Sequence, residues 1–418
     1  MSKPVDLTEI PARAERFRKY ISQFESMFVG KSWSIRLLSL ALLTREHILL
    51  AGPPGIAKTQ LCDAVFDGII GAKSFRTEVS GYTGEDGLLG PYNVKRLRED
   101  GRLEHNIEDM LPEAKFARIG EFLDANGVTL RALLGIMNER RLLKGPQNIQ
   151  VPLMTAYLDT NKDPAAYLRK NPDAWAVLDR VLFLEQLGYL DTPDAIEEMV
   201  TRYQRGASRH AKIQIDVEDI EVLSSMIVNP PGLITDSSIL QTYAQVINEY
   251  RTRRRELPEE ERKLFILPEI SDRRVNKASM VMEAEAILNG RLTVIIDDLM
   301  SAGVALCTSL PERNLWAEIV QKYTTEHKKR SETQVSNAQG LALKAIAERL
   351  QTEVLSADPA VKSDDLVRVL QVLKQQLATI TPTTDEVHVL HEEVTRTYKT
   401  AVSAVKQKTQ HETGLDTL

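Results

Sequence analysis

The sequence predicts an α/β domain built on a parallel sheet, followed by an all-helical domain and a further set of C-terminal helices. Between about residues 46 and 190, apolar strand-like runs alternate with helix-like segments, as in parallel sheets covered by helices on both faces. From Asp191 the strand pattern stops, and beyond about residue 331 only amphipathic helical periodicity remains. With 418 residues the chain has room for two or three domains, which we place at 1–190, 191–310 and 311–418.

The composition is that of a globular protein with no strong charge bias. Charged residues make up 27% and the formal net charge is -6, so no overall field attracts nucleic acid or an anionic membrane. The N-terminus lacks the apolar segment of a signal peptide, and no window is apolar enough to cross a bilayer, so we expect a cytoplasmic protein. Cys62 and Cys307 lie in apolar helical contexts, which predicts buried free thiols rather than a disulfide or a metal site.

The first elements follow from apolar spacing. Apolar residues at helical spacing predict that the chain is helical up to about residue 45 and leads directly into the first strand. Apolar runs typical of buried parallel strands then predict the sheet. The expected strands are Ile48 to Leu50, Phe75 to Val79, Phe116 to Ile119, Leu153 to Leu158 and Val181 to Leu187.

A glycine-containing loop connects the first predicted strand to the next helix. It comprises Gly52, Pro53, Pro54, Gly55, Ile56, Ala57, Lys58, Thr59 and Gln60. In such loops backbone N–H groups turn toward the phosphates of a nucleoside triphosphate, a lysine reaches the β and γ phosphates, and a hydroxyl ligates Mg²⁺. Lys58 and Thr59 stand at these positions, so the loop predicts binding of ATP and Mg²⁺. Ala57 replaces the usual second glycine, which requires a backbone conformation that tolerates a methyl group.

The rest of the chain is predicted to be helical. Thr192-Pro193-Asp194 is typical of a helix start, and breaks are expected at Pro230-Pro231-Gly232 and in a charged turn from Arg251 to Lys263. Three amphipathic helices are then predicted after residue 331, with a disordered tail after Lys408. These helices either pack as a small bundle or form a partner-binding or oligomer-forming hairpin. Their apolar residues include Leu341, Ile346, Leu350, Val354, Leu366, Leu370, Leu373, Leu377, Val387, Leu390, Val394, Tyr398, Val402 and Val405.

Three stretches resemble the MoxR family of AAA+ ATPases, most closely its RavA-like branch. They are residues 52–59, 100–114 and 133–140, and Ala57 fits that branch's own pattern. The resemblance covers roughly residues 15–310 and implies an AAA+ core with a helical lid. It also implies a homo-oligomeric ring, a hexamer, whose ATP hydrolysis remodels or activates a partner protein. Because MoxR relatives are often coupled to proteins with von Willebrand factor A domains, such a partner is implied as well.

The family has an acidic motif directly after the strand predicted at Phe116 to Ile119, and this chain departs from it. The resemblance places Glu121 at the position of the water-activating general base, but Gly120 stands where the family has a metal-supporting aspartate. Glycine supplies no carboxylate to Mg²⁺, and Asp124 lies closer to Asn138 than the family spacing allows. Arg118 is unusual inside a strand expected to be apolar and buried. We therefore expect ATP binding with slow hydrolysis; the alternative is a nucleotide-gated assembly scaffold with little or no hydrolysis.

The resemblance implies three further polar groups around the nucleotide. Asn161 would sense the γ-phosphate from the end of a strand, with Asp159 as a rival assignment and a plain turn residue as the structural alternative. Arg180 would act as an arginine finger that completes a neighbouring subunit's site, unless it only pairs with the aspartate before it. Arg273 would be a second sensor reaching the nucleotide from the lid, with Arg274 as the fallback.

Residues 81–113 should hold the family's insertions that face the ring pore. Tyr82 or Tyr92 there would contact a partner; the alternative is a loop aromatic satisfied within its own subunit. A third hypothesis, a DNA-acting ring, gains little from the net charge of -6, because affinity for DNA depends on neutralising phosphates. We therefore expect neither a membrane nor a nucleic-acid partner.

Overall fold

The computed structural model describes residues 7–413 except 207–209, 230–232, 234 and 359. The expected break at Pro230-Pro231-Gly232 therefore lies outside the described residues. The chain divides into two compact units, Met1–Gln321 and Lys322–Leu418. None of the helices in the described ranges is both long enough and apolar enough to cross a bilayer.

A five-stranded parallel sheet forms the centre of the first unit. Its spatial order is β3 (Ser74–Glu78), β4 (Phe116–Gly120), β7 (Thr155–Thr160), β1 (Ile48–Ala51) and β8 (Phe183–Gln186). The strand before the phosphate loop, residues 52–60, therefore lies between two others. All five strands expected from the sequence are present within a few residues of their predicted bounds. The strands are β1 (Ile48–Ala51), β2 (Ile69–Ile70), β3 (Ser74–Glu78), β4 (Phe116–Gly120), β5 (Arg141–Lys144), β6 (Gln147–Gln150), β7 (Thr155–Thr160), β8 (Phe183–Gln186) and β9 (Ile215–Asp216).

Two small strand pairs were not expected. The antiparallel hairpin β5–β6 and the parallel pair β2–β9 lie outside the main sheet. The β2–β9 strands are two residues each, too short to show any periodicity in the sequence. The β5–β6 strands alternate between buried or half-buried and exposed positions with few apolar residues, so they resemble loops in the sequence.

Helices pack against the sheet, and the last helix in the series given below extends past the unit boundary at Gln321. The helix predicted to start at Thr192 begins at Pro193, and the last predicted strand leads into it. The helices are α1 (Ile10–Glu25), α2 (Ser32–Thr44), α3 (Lys58–Asp67), α4 (Asp86–Leu89), α5 (Val94–Asp100), α6 (Gly127–Leu134), α7 (Pro164–Lys170), α8 (Trp175–Leu178), α9 (Pro193–Gln204), α10 (Val217–Val228), α11 (Ser237–Glu256), α12 (Glu259–Arg262), α13 (Asp272–Leu288), α14 (Leu299–Leu306) and α15 (Leu310–Arg349).

The expected charged turn from Arg251 to Lys263 is wrong in its first half. Helix α11 continues to Glu256 because arginine is a good helix former and cations are favourable at a helix C-terminus. Arg254 is also buried there, where its Nε lies 2.7 Å from an Oε1 of Glu312 on α15. Both cysteines, Cys62 and Cys307, are buried free thiols, as the sequence predicts.

Glu283 on α13 links stability to pH. Burial raises the pKa of this carboxyl to about 7, although the Leu233 N–H donates to it and opposes the shift. The folded state therefore holds a proton that the unfolded chain has lost between about pH 4.5 and 7, so the free energy of unfolding should fall as the pH rises through this range. We expect Glu283→Gln to remove this contribution.

The measurement is the stability difference between wild type and Glu283→Gln in urea at pH 5 and at pH 8. Wild type should lose stability relative to the variant at the higher pH. Glu260→Gln serves as a control because its side chain is 84% exposed, so it shows the effect of the same substitution at the surface. An unchanged difference for Glu283→Gln would contradict the linkage.

The second unit is a helical bundle with its own apolar core. The C-terminal part of α15 ends in a π-helical turn, Leu350–Leu355, followed by α16 (Ser363–Ala378) and α17 (Asp385–Thr413). Leu341 is exposed rather than buried, because Leu343 occupies the inward position of that helix turn. The expected disorder after Lys408 is wrong as far as Thr413, since α17 continues there. The core residues are Leu343, Ile346, Leu350, Val354, Leu366, Leu370, Leu373, Leu377, Val387, Val394, Ala401 and Val405.

Candidate nucleotide-binding site

The phosphate loop lies between the centre of the sheet and the N-terminus of α3. Strand β1 ends at Ala51 and α3 begins at Lys58. Ala57 adopts the left-handed conformation at φ 64°, which answers how the loop tolerates alanine in place of glycine. That conformation costs an L-residue roughly 1–2 kcal/mol. Backbone N–H groups at the start of a helix of this length are a favourable site for phosphate.

Lys58 is the buried cation of the loop. Its Nζ donates to the carbonyl oxygens of Gly52 and Pro53 at 2.6 and 3.0 Å, and to Oδ1 of Asn161 at 2.9 Å. Burial lowers the pKa of the Lys58 ammonium, while the nearby carboxylates of Asp159 and Glu121 oppose the shift. Three oxygen acceptors use all three donors of the protonated amine.

Asn161 connects this lysine to the acidic motif. Its Nδ2 donates to Oε1 of Glu121 at 2.5 Å, so one amide bridges Lys58 and Glu121. Glu121 follows β4 directly and has a left-handed backbone at φ 54°. The structure thus brings together Lys58, Glu121 and Asn161, which the sequence placed far apart. The Asn161 side chain bonds across the site rather than within its own turn, which favours its assignment to the site.

Asp159 lies one strand away from the glycine of the acidic motif. It belongs to β7 and is only 5% exposed. Its Oδ2 is buried and has no hydrogen-bond partner among the described residues. Burial raises the pKa of Asp159, and the charges of Arg118 and Lys58 oppose that shift. A Cβ placed on Gly120 would lie 3.6 Å from this Oδ2.

Arg118, the unexpected cation in β4, faces α3. Its Nε lies 3.4 Å from Oδ1 of Asp63 and its Nη1 lies 3.7 Å from Oε1 of Glu78. These carboxylates place opposite charge near the guanidinium, whose buried Nε and Nη1 have no hydrogen-bond partner among the described residues. Its Nη1 is also 3.1 Å from the position of a Cβ on Gly120, so any side chain there would require Arg118 to move.

A cavity of about 1230 Å³ joins these groups to an apolar wall. Its lining combines polar residues of the loop and strand ends with apolar residues from the turn between α1 and α2 and from α9. The sequence alone does not indicate this wall, although its α9 residues have helical spacing and no α9 residue is buried. The main apolar lining residues are Phe28, Ile196, Met199, Val200 and Tyr203.

The lining groups fit a hydrated Mg²⁺ carried by a nucleotide. In phosphoryl-transfer sites Mg²⁺ is held by one or two side chains together with the phosphates and water. The Thr59 hydroxyl and the carboxylates of Glu121 and Asp159 line the cavity, and all are hard oxygen ligands. The Oδ2 of Asp159, buried and unpartnered in the described chain, is an oxygen that a cation would satisfy.

Arg180 and Arg273 are not among the residues that line the cavity of a single described chain. Arg180 donates from Nη1 to the Ala176 carbonyl at 2.5 Å, and burial lowers its pKa, helped by the charge of Arg273. The Nη1 of Arg273 lies 3.6 Å from Oδ2 of Asp179, which also accepts a hydrogen bond from Ser271. Asp179 is thus paired with Ser271 and Arg273 of the lid rather than with Arg180.

Arg274, the alternative to Arg273, and Asp124, considered in place of the carboxylate missing at Gly120, are both engaged by groups of their own chain. Arg274 is fully buried and donates to the carbonyl oxygens of Val181, Leu182 and Ala305, so it packs the lid against the core instead of reaching a ligand. Asp124 lies 2.6 Å from the Nζ of Lys162 and is therefore engaged in an ion pair.

The two tyrosines of the predicted insertions have different environments. The Tyr82 side chain is fully exposed, whereas the Tyr92 ring packs on His105 with ring centroids 4.3 Å apart. Tyr92 thus has a ring partner within its own chain although it is 47% exposed, and Tyr82 is the more exposed of the two.

Comparison with known proteins identifies the family. Residues 15–225 match the model described as the MoxR domain in the MoxR-vWA-beta-propeller ternary systems, and residues 245–318 match an AAA lid domain. An uncharacterised protein of Methanocaldococcus jannaschii is 26% identical over 298 residues, which is 70% of each chain. The chaperone MoxR1 of Mycobacterium tuberculosis is 26% identical over 199 residues, 48% of this chain and 50% of that protein.

A solved structure supports the fold. The crystal structure of a candidate ATPase from Cytophaga hutchinsonii is similar with a TM-score of 0.53 at 19% identity, covering 70% of this chain and 86% of that one. Together with the parallel sheet, the phosphate loop and the helical lid, these matches give one conclusion. The chain belongs to the MoxR family of AAA+ ATPases.

Proposed function

We propose that this chain is a cytoplasmic, ring-forming ATPase, a hexamer, that binds ATP with Mg²⁺, hydrolyses it slowly, and remodels or activates a partner protein in a chaperone-like way. The observation that carries the proposal is the hydrogen-bonded set of Lys58, Asn161 and Glu121 at the carboxyl ends of neighbouring parallel strands. Ligands bind at this edge of open α/β sheets. A lysine, an amide and a carboxylate there are the groups that phosphoryl transfer to water requires.

Each part of the cavity has a task in this proposal. The N-terminus of α3 and Lys58 bind the phosphates, and Glu121 orients and deprotonates the attacking water. Bound Mg²⁺ supplies neutralisation of the charge on the β and γ phosphates. Asn161 positions Glu121 and senses the γ-phosphate. The apolar wall of Phe28 and the α9 side chains receives the adenine ring.

Slow hydrolysis follows from the acidic motif. Gly120 leaves this degenerate motif without its usual carboxylate, and the Glu121 carboxylate is held by the Asn161 amide. Both features also favour a second candidate function, a nucleotide-gated scaffold with little or no hydrolysis. In either case we place the nucleotide-binding domain at residues 1–190, the lid at 191–310 and the C-terminal extension at 311–418. We also propose that the chain belongs to the RavA-like branch of the family.

The partner we propose carries a von Willebrand factor A domain. The family description names such a domain together with a β-propeller, which supports this choice. Tyr82 is fully exposed and lies in the segment assigned to the pore-facing insertions, so we propose that it contacts the partner. The bundle of the second unit is the other candidate surface for recruiting the partner.

The test of a ring ATPase uses Arg180. We expect Arg180→Ala to keep ATP affinity but to lower turnover by at least about tenfold, because an arginine finger stabilises charge only on the transferring phosphoryl group. ATP turnover is measured on assembled wild type and on the assembled variant. The turnover of Lys58→Ala, which is expected not to bind ATP, gives the background rate. Turnover of wild type no higher than this background would favour the scaffold.

Mixed assemblies show whether Arg180 acts between subunits. Arg180→Ala subunits retain an intact loop, and Lys58→Ala subunits retain an intact arginine. Mixing the two inactive variants should restore part of the turnover, because some interfaces then combine one intact group from each subunit. No recovery on mixing, or an equal loss of turnover in isolated Arg180→Ala monomers, would contradict the finger.

A further inference from the structure

The carboxylate missing from β4 has a counterpart on the neighbouring strand. Strands β4 and β7 are parallel neighbours, with Ile119 paired to Leu158, so Gly120 and Asp159 follow at the same level of the sheet. A Cβ on Gly120 would lie 3.6 Å from Oδ2 of Asp159. The Asp159 carboxylate therefore occupies the space next to the one that a side chain at position 120 would fill.

The environment of Asp159 leaves one oxygen for a ligand. The carboxylate is only 5% exposed, and its Oδ2 is buried without a hydrogen-bond partner in the described part of the chain. Buried carboxylate oxygens without partners are costly unless a cation or donor completes them. Asp159 and Thr59 line the same cavity, so the missing partner can come from the ligand's side.

The other carboxylates near the loop have partners already. Glu121 accepts from Asn161, Asp124 pairs with Lys162, and Glu78 is mostly exposed beside Arg118. Of the carboxylates that line the cavity, Asp159 is the most buried.

We propose that Asp159 supplies the metal-supporting carboxylate of this site, taking over from β7 the task that Gly120 cannot perform from β4. The proposal rests on the proposed function, because Mg²⁺ enters with the nucleotide. Asp159 holds the Mg²⁺ shell through its free oxygen, either directly or through a bound water. Glycine at position 120 then makes room for this carboxylate and for Arg118.

The close packing makes a distinct prediction for position 120. A Cβ there would lie 2.9 Å from Cγ of Glu78 and 3.1 Å from Nη1 of Arg118, both parts of side chains that can shift. A carboxylate added by Gly120→Asp alone would lie beside that of Asp159, and two adjacent carboxylates resist simultaneous ionisation. Gly120→Asp alone should therefore not strengthen Mg²⁺ binding, whereas Gly120→Asp combined with Asp159→Asn should replace one carboxylate by the other.

The test measures the Mg²⁺ requirement of nucleotide binding in the full chain. A fluorescent, non-hydrolysable ATP analogue is bound at fixed concentration while free Mg²⁺ is varied, and binding is repeated in EDTA. Asp159→Asn should raise the Mg²⁺ concentration for half-maximal binding by about tenfold, as when groups that support a metal ligand are lost. Affinity in EDTA should stay unchanged or improve, because one negative charge near the phosphates is gone.

Glu78→Gln is the matched control, since Glu78 lines the same cavity. It should leave the Mg²⁺ requirement unchanged, and the double variant Gly120→Asp/Asp159→Asn should return it to within about threefold of wild type. This double variant keeps one carboxylate in the site and carries the test if Asp159→Asn alone does not fold. A Mg²⁺ requirement of the double variant that exceeds that of wild type by more than about threefold overturns the proposal.

Three further outcomes would overturn it. The first is a rise of less than about threefold in the Mg²⁺ concentration for half-maximal binding of Asp159→Asn, where loss of metal support predicts about tenfold. The second is an equal loss of analogue binding with Mg²⁺ and in EDTA, which would show a structural effect. The third is a larger shift for Glu78→Gln than for Asp159→Asn. Wild type that binds no analogue under any condition would instead refute the proposed function.

Discussion

Replacing Lys58 by alanine is expected to abolish ATP binding. Lys58 is the buried cation at the start of α3, and its three donors already point at oxygens within the loop and at Asn161. Hydrogen bonds to charged groups contribute roughly 1.5–3 kcal/mol each, so losing two contacts to phosphate should weaken binding by at least about 100-fold. Isothermal titration calorimetry with ATP and Mg²⁺ measures this loss directly.

Lys162→Ala is the matched control for this experiment. Lys162 follows Asn161 in the chain, but its Nζ pairs with Asp124 and donates to the Leu123 carbonyl. Removing this amine should leave ATP affinity close to that of wild type. If Lys58→Ala retained wild-type affinity, or if both variants lost it equally, Lys58 would not be the phosphate-binding lysine.

Replacing Glu312 by alanine is expected to destabilise the first unit severely. Glu312 is 0% exposed and accepts hydrogen bonds from Arg254, Thr308 and Ser309. Its loss leaves the buried guanidinium of Arg254 without a counter-charge, which costs roughly 3–5 kcal/mol in comparable pairs. The two carbonyl oxygens that also accept from Arg254, those of Leu267 and Pro268, cannot neutralise its charge.

Glu318→Ala provides a control on the same helix. Glu318 pairs with Arg253, the residue next to Arg254, at 2.9 and 3.1 Å, but its side chain is 64% exposed. Exposed pairs of this kind contribute about 1 kcal/mol or less. The two variants therefore differ mainly in burial.

Urea unfolding followed by tryptophan fluorescence can compare the two variants. The three tryptophans, Trp33, Trp175 and Trp316, all lie within Met1–Gln321, so this signal follows the first unit alone. A destabilisation of similar size in both variants would show that the burial of the Arg254–Glu312 pair has no special effect.

Local patterns explain why much of the fold was predictable. Buried parallel strands are continuous apolar runs, and the loop from Gly52 to Thr59 is identified by residue types that follow one another in the chain. The start of α9 is also predicted by a local signal, because Pro193 marks the first turn of the helix. Helix α15 was harder: it runs unbroken from Leu310 to Arg349, with a polar stretch in the middle that shows little amphipathic pattern.

The site was predictable only in part, because two of its features depend on contacts between strands and helices. The importance of Asp159 appears only when the register of β4 and β7 places it beside Gly120. The sequence does not explain Arg118 in its strand, because the opposite charge of Asp63 comes from a different element, α3. The apolar wall on α9 has the same spacing as a core-facing helix, so periodicity alone could not distinguish it from ordinary packing.

The bonds of Lys58 make nucleotide capture an exchange rather than a simple addition. A phosphate that binds the Lys58 amine competes with the oxygens of Gly52, Pro53 and Asn161, so an anion with few contacts gains little. A polyphosphate chain, which also bonds to the N-terminus of α3, can replace all of them at once. When Asn161 gives up its bond to Lys58, the side-chain hydrogen bond that it keeps within the described residues is the one to Glu121. In the proposed function, occupancy of the loop therefore acts on the carboxylate of Glu121, the proposed general base, through the Asn161 amide.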